Sequence, residues 1–159
     1  MVRVEKMRET ASRVELKFSV TGRDEEDVEE KPKPAVQNQI LIVEDEAITA
    51  RIVANIAEKE GFNPVVVEDG QEAYRILSSE ANFAGAILDV ELPKIKGTDL
   101  LKYMRSEKRL RYIPVIMMTA SSEYVKLRVE SYQSGATFFI SKPFERSTFE
   151  MIFKTLVKA

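Results

Sequence analysis

From residue 38 onward, five short and nearly unbroken apolar runs alternate with stretches of helical periodicity, and this alternation limits the fold more than any other feature. The runs are Gln39–Val43 (QILIV), Pro64–Val67 (PVVV), Ala84–Leu88 (AGAIL), Pro114–Met118 (PVIMM) and Thr137–Ile140 (TFFI). A strand that is apolar throughout must be covered on both faces, the condition of a strand in a parallel sheet. The intervening stretches supply the cover. Glu46–Glu60 carries Ile48, Ile52, Ile56 and Ala57 at helical spacing and stops at Gly61. Gln71–Ser79 turns Ala73, Ile76 and Leu77 inward, and Thr98–Lys108 turns Leu100, Leu101 and Met104 inward. Glu123–Ser134 stops at Gly135, and Arg146–Val157 closes the series. The expected fold is an α/β doubly wound five-stranded parallel sheet with five helices.

The segment before residue 38 has a different character. Val14, Leu16, Phe18 and Val20 alternate with polar residues, as do Val2–Lys6, so residues 1–20 read as a β-hairpin-like extension. A lone hairpin is marginal in water, so its apolar face is expected to pack on something or to support a homodimer. These residues also resemble the strand pair ahead of the first ATP-binding box of sensor kinases. Thr21-Gly22-Arg23-Asp24 stands where Asp-x-Gly-x-Gly is required, so no ATP-binding function follows. Residues 21–37 include six acids within Asp24–Glu30, then Pro32 and Pro34. Like charges repel and bury no apolar surface, so this stretch reads as an acidic, proline-bearing linker. The division is therefore 1–20, 21–37 and 38–159.

Composition removes several classes of function. With no histidine and no cysteine, the chain has no Ser-His triad, thiol nucleophile or ordinary zinc site. A net charge of −2 gives no electrostatic reason to bind DNA directly. No apolar stretch reaches the ~20 residues of a membrane span, and the first residues lack the apolar core of a secretory signal. The expected location is cytoplasmic.

What remains is chemistry by carboxylate, hydroxyl and amine, and such groups stand where the strands end. Glu44-Asp45-Glu46 follows the first run, Asp89 the third, Thr119-Ala120-Ser121 the fourth and Ser141-Lys142-Pro143 the fifth. In a parallel sheet these ends share one edge, where such folds bind ligands. Clustered carboxylates are costly unless a cation joins them, and oxygen donors suit Mg²⁺. A carboxylate beside Mg²⁺ can accept a phosphoryl group, whose outer oxygens an ammonium and a hydroxyl could share with the metal. Taken singly, each residue has a plainer reading: Glu44-Asp45 or Thr119 as helix caps, Asp89 as a turn residue, Lys142 as a solvated lysine, Phe139 as core.

Taken together, Ile40-Leu41-Ile42-Val43-Glu44-Asp45, Leu88-Asp89-Val90-Glu91-Leu92-Pro93 with Gly97, Met118-Thr119-Ala120, and Gly135-Ala136 through Lys142-Pro143-Phe144 resemble the receiver domain of response regulators, the CheY-like superfamily of two-component signal transduction. The resemblance spans residues 38–158. It implies a flavodoxin-like strand order 2-1-3-4-5 and a signalling domain that catalyses only its own phosphorylation and dephosphorylation. Asp89 is the implied phosphoacceptor. Asp45 is implied to ligate Mg²⁺ directly, Glu44 mainly through water, and Glu91 through its backbone carbonyl, with Asp89 completing the set. Thr119 and Phe139 are the implied switch pair, and Lys142 the partner of the phosphoryl group. Pro143 is implied to follow a cis bond. The implied donor is a sensor histidine kinase or phosphotransfer protein. The implied output is a downstream protein target met along the fourth helix, fifth strand and fifth helix. Glu44 stands for the commoner Asp, and Phe139 for the Tyr of some members. The side chains of Glu91 and Ser121 flank the site and are expected to tune attack by water.

Three other functions fit parts of the pattern. A receiver module of a hybrid histidine kinase would use the same residues. A receiver-like scaffold would bind partners without phosphorylation. A phosphatase of the haloacid dehalogenase type would need an Asp two residues after its nucleophile, where this chain has Glu91.

Overall fold

A computed structural model describes residues 38–79 and 82–158. The expected hairpin at 1–20 and the expected linker at 21–37 lie outside the described residues. The elements run β1 (Gln39–Val43), α1 (Ala47–Lys59), β2 (Asn63–Val67), α2 (Gly70–Leu77), β3 (Gly85–Asp89), α3 (Gly97–Ser106), β4 (Val115–Thr119), α4 (Tyr124–Gln133), β5 (Phe138–Ser141) and α5 (Arg146–Lys158). All four strand pairings are parallel, and the sheet order is 2-1-3-4-5.

Alternation along each strand sorts side chains into two apolar layers. Leu41, Val43, Ala86, Leu88, Val115 and Met117 pack with Ala73 and Leu77 of α2 and Leu100, Leu101 and Met104 of α3. Ile40, Ile42, Ile87, Ile116, Met118 and Ile140 pack with Val53, Ile56 and Ala57 of α1 and Phe149, Phe153 and Leu156 of α5. β1, β3 and β4 are buried on both sides, which accounts for their unbroken apolar character.

One inward assignment fails. Ile48 is 69% exposed, and α1 buries Ala50, Val53, Ile56 and Ala57. Steps of four residues advance about 40° past a full turn, so Ile48 and Ile56 point about 80° apart and cannot share a narrow stripe. Helix ends follow local chemistry. Asp69 caps α2 by accepting the Glu72 N–H at 2.8 Å, and Gly61 takes φ 91° just past α1.

The register brings the strand ends to one edge. Val43 pairs with Leu88, Asp89 with Met118, and Thr119 with Ser141. Glu44, Asp89, Thr119 and Lys142 therefore emerge side by side.

Candidate functional site

Each reactive group is the last residue of a strand or the first beyond it. Backbone bonds extend the sheet into the site: Glu44 N–H donates to Val67 O at 3.1 Å, Val90 N–H to Met118 O at 2.8 Å, and Lys142 N–H to Thr119 O at 2.7 Å. The loop after β3 is held close, with Gly97 N–H donating to Val90 O at 2.9 Å. A Cβ at Gly97 would collide with the Asp89 carbonyl, so only glycine lets this loop return past the strand end.

Lys142 sits between two buried acids. Its Nζ donates to Asp89 Oδ2 at 2.9 Å and to Glu44 Oε1 at 3.0 Å. The lysine side chain is 11% exposed, against 5% for Asp89 and none for Glu44. The remaining oxygens are also used: Glu44 Oε2 accepts the Glu46 N–H at 3.0 Å, and Asp89 Oδ1 accepts the Glu91 N–H at 3.1 Å. Two acids share one cation here. Burial pushes the Glu44 carboxyl up to about 7; Asp89's charge adds to this, while the bonds from Lys142 and the Glu46 amide pull back. For Lys142 burial works against the charged form, but the bonds to Asp89 and Glu44 and their charges outweigh it, so its pKa is raised.

Glu44, Asp45 and Asp89 each offer an oxygen within 4.8 Å of the others. Glu44 and Asp89 are buried, while Asp45 is exposed at the mouth. This all-oxygen donor set, with an excess of anions over cations, fits a hard divalent cation such as Mg²⁺.

Thr119 faces a different partner. Its hydroxyl donates to Glu91 Oε1 and Oε2, both at 2.9 Å, and accepts the Ser121 N–H at 3.0 Å. Ser121 Oγ in turn accepts the Glu123 N–H at 3.0 Å, which opens α4. Glu91 and Ser121, expected beside the site, both bind Thr119, a pairing the motifs alone do not reveal. The usable signal was that the ends of β3 and β4 are neighbours, which sets an acid two residues past Asp89 within reach of Thr119.

The structure thus gathers Glu44, Asp89 and Lys142 in direct contact, Asp45 within the same carboxylate cluster, and Thr119 against Glu91. Phe139 is half-buried against the layer that includes α3, and its N–H donates to the Tyr132 hydroxyl at 3.1 Å. Glu44 accepts the N–H of Glu46, the residue just ahead of α1, and no side chain caps that helix. The Lys142–Pro143 bond is cis.

A parallel sheet of order 2-1-3-4-5, with five helices and buried acids and a lysine at its carboxyl edge, defines a flavodoxin-like α/β class. The family of response regulator receiver domains matches residues 40–154, and the chain belongs to that family of two-component signalling. It is 37% identical to the transcriptional regulatory protein SrrA of Staphylococcus aureus over 123 residues, which is 77% of this chain and 49% of that protein. The chain thus spans about half the length of the curated relatives it matches. It superposes on the receiver domain of a signal transduction histidine kinase from Syntrophus aciditrophicus with TM-score 0.68 and 34% identity, covering 76% of this chain and 90% of that one. The chemotaxis response regulator CheY4 of Vibrio cholerae gives TM-score 0.68 and 25% identity, covering 76% and 99%. The receiver domain of the Pseudomonas aeruginosa sensor histidine kinase PA1611 shares the fold at 23% identity and TM-score 0.68, covering 78% and 100%; that structure holds a magnesium ion in its active-site cleft. Among the described residues, no helix is long and apolar enough to cross a membrane.

Proposed function

We propose that the chain is a phosphorylation-controlled receiver in which Asp89 accepts a phosphoryl group from a histidine kinase or phosphotransfer protein. The observation that carries this reading is the buried Asp89 carboxylate, bridged by Lys142 to Glu44 and ringed by oxygen donors. Glu44, Asp45 and Asp89, with the Glu91 carbonyl, would hold Mg²⁺, Asp45 directly and Glu44 mainly through water. When bound, the metal neutralises charge on the transferring group.

The chain's own groups do the rest. An Asp89 carboxylate oxygen attacks phosphorus, and the bond from phosphorus to the donor breaks with its electron pair leaving on the donor. Lys142, already 2.9 Å from Asp89, meets an outer phosphoryl oxygen. Thr119 offers its hydroxyl to another. With Asp89 only 3% exposed, little bulk water competes for the site. Movement of Thr119 and Phe139 then alters the surface of α4, β5 and α5 that a downstream protein reads. Phosphorylation drives that change only by contacting the two states differently.

The test is incubation with acetyl phosphate and Mg²⁺, followed by intact mass, with Asp89→Asn alongside. A Mg²⁺-dependent gain of one phosphoryl group, absent in the variant, is the expected result. No gain by a folded wild-type chain would favour a scaffold that binds partners without phosphorylation.

A further inference from the structure

A threonine hydroxyl has one proton to give, and here that proton is taken. Thr119 donates it to the Glu91 carboxylate, at 2.9 Å from both oxygens. A bond to an ionised acceptor is about twice as strong as a neutral one. The same hydroxyl oxygen receives the Ser121 N–H at 3.0 Å, and Ser121 Oγ receives the Glu123 N–H at 3.0 Å. A continuous run of hydrogen bonds therefore joins the residue two past Asp89 to Glu123, the residue just ahead of α4.

The element at the far end of that run is lightly anchored. Ser131 is the one fully buried residue of α4, and its hydroxyl finds no partner among the described residues. Tyr124, Val125, Val129 and Tyr132 of the same helix are exposed. With Leu127 half-buried against the apolar layer and most other apolar side chains of the helix exposed, α4 has a thin apolar anchor, so what fixes the loop ahead of it matters.

We propose that Glu91 is a positioning residue: its carboxylate holds the Thr119 hydroxyl, and through Ser121 the loop from β4 to α4, in the resting arrangement. This rests on the reading of Asp89 as phosphoacceptor, since it assigns what ends the hold. A phosphoryl group on Asp89 needs the same Thr119 proton, and its negative charge repels the Glu91 carboxylate. Phosphorylation and Glu91 therefore compete for one hydroxyl. No bond is made or broken beyond the exchange of one hydrogen bond for another. Glu91 sets how far the equilibrium leans toward rest.

The experiment uses the full chain and three variants: Glu91→Ala, Glu91→Gln and Thr119→Val. Glu91 is exposed, so its substitutions leave the apolar layers intact. In the first arm, without metal or phosphoryl donor, NMR follows the Thr119 γ-methyl couplings and hydrogen exchange at the Ser121 amide. Glu91→Ala is expected to average the Thr119 rotamers and speed Ser121 exchange by about tenfold or more, the worth of one charge-assisted bond. Glu91→Gln, which keeps an acceptor oxygen, is expected to restore most of the wild-type signature. Thr119→Val also removes the acceptor of the Ser121 N–H, so it is expected to speed Ser121 exchange beyond Glu91→Ala, and adding Glu91→Ala to it is expected to change nothing further. Unchanged Thr119 couplings and Ser121 exchange in Glu91→Ala would overturn the proposal.

In the second arm, acetyl phosphate and Mg²⁺ are added. Glu91→Ala is expected to show a larger shift of the α4 amides per phosphoryl group bound than wild type. An equal shift per group would overturn the competition. A wild-type chain that takes no phosphoryl group, while the first arm succeeds, would overturn the phosphoacceptor reading and the release step, and leave the hold itself established. The two failures are thereby distinguishable.

Discussion

Glu44 is the group whose burial makes the sharpest quantitative demand, and replacing it by glutamine tests that demand. In the unfolded chain its carboxyl titrates near 4.5, and in the folded chain burial moves it up to about 7. The folded protein thus holds the Glu44 proton more tightly than the unfolded chain does. Below pH 4.5 both states are protonated and stability is complete. As pH rises the unfolded chain ionises first, so stability falls, and the loss is complete once pH passes about 7. The gap, at about 1.4 kcal/mol for each tenfold change in proton affinity, amounts to about 3 kcal/mol. In Glu44→Gln the side chain is neutral throughout and keeps an oxygen toward Lys142, so this pH-dependent loss disappears. Urea unfolding followed by circular dichroism, in chelator, at a series of pH values from 4 to 8, measures it. The wild-type stability minus that of the variant is expected to fall by about 3 kcal/mol across the series. A difference that stays flat with pH would show that Glu44 is no more costly to ionise in the fold than outside it, and the argument from burial would be wrong.

Two further substitutions probe the same edge of the sheet. Lys142→Met leaves Glu44 and Asp89 buried without their shared cation, and is expected to cost about 3–5 kcal/mol in metal-free protein near neutral pH, read by urea unfolding; a loss under about 1 kcal/mol would mean water already does the work of the ammonium. Gly97→Ala places a methyl group against the Asp89 carbonyl; it is expected to lower stability by about 2 kcal/mol or more and to shift the Asp89 and Val90 amides in NMR spectra, and unaltered spectra would show that the loop has room to spare.

The strands were readable in the chain because β1, β3 and β4 are buried on both faces, so their apolar character carries no gaps. Their order was not contained in periodicity; it came with the resemblance carried by the residues at the strand ends. Ile48 misled because an isoleucine at helical spacing looks inward, yet a four-residue step drifts around the helix and leaves it in solvent. The converging polar groups could be named from the strand ends alone. Their pairings could not. That Lys142 would lie between Glu44 and Asp89, and Thr119 against Glu91, depends on which strands are neighbours and on side-chain reach of a few ångströms. Local sequence holds no information at that scale.

The placement of Lys142 has a consequence for how the molecule comes into being. It lies just beyond β5, the last strand among the described residues, 98 positions from Glu44 and 53 from Asp89. A ribosome delivers the acids long before their counter-charge. Until β5 docks on β4, the nascent sheet carries mutually repelling anions with nothing between them, and loop closure over that span is slow compared with local structure. The cluster of acids is therefore left without its lysine until the fifth strand joins the sheet. A chain that has not yet docked β5 can present an aspartate but not the ammonium beside it, so the pairing of Lys142 with Asp89 reports that the sheet has been assembled across all five strands.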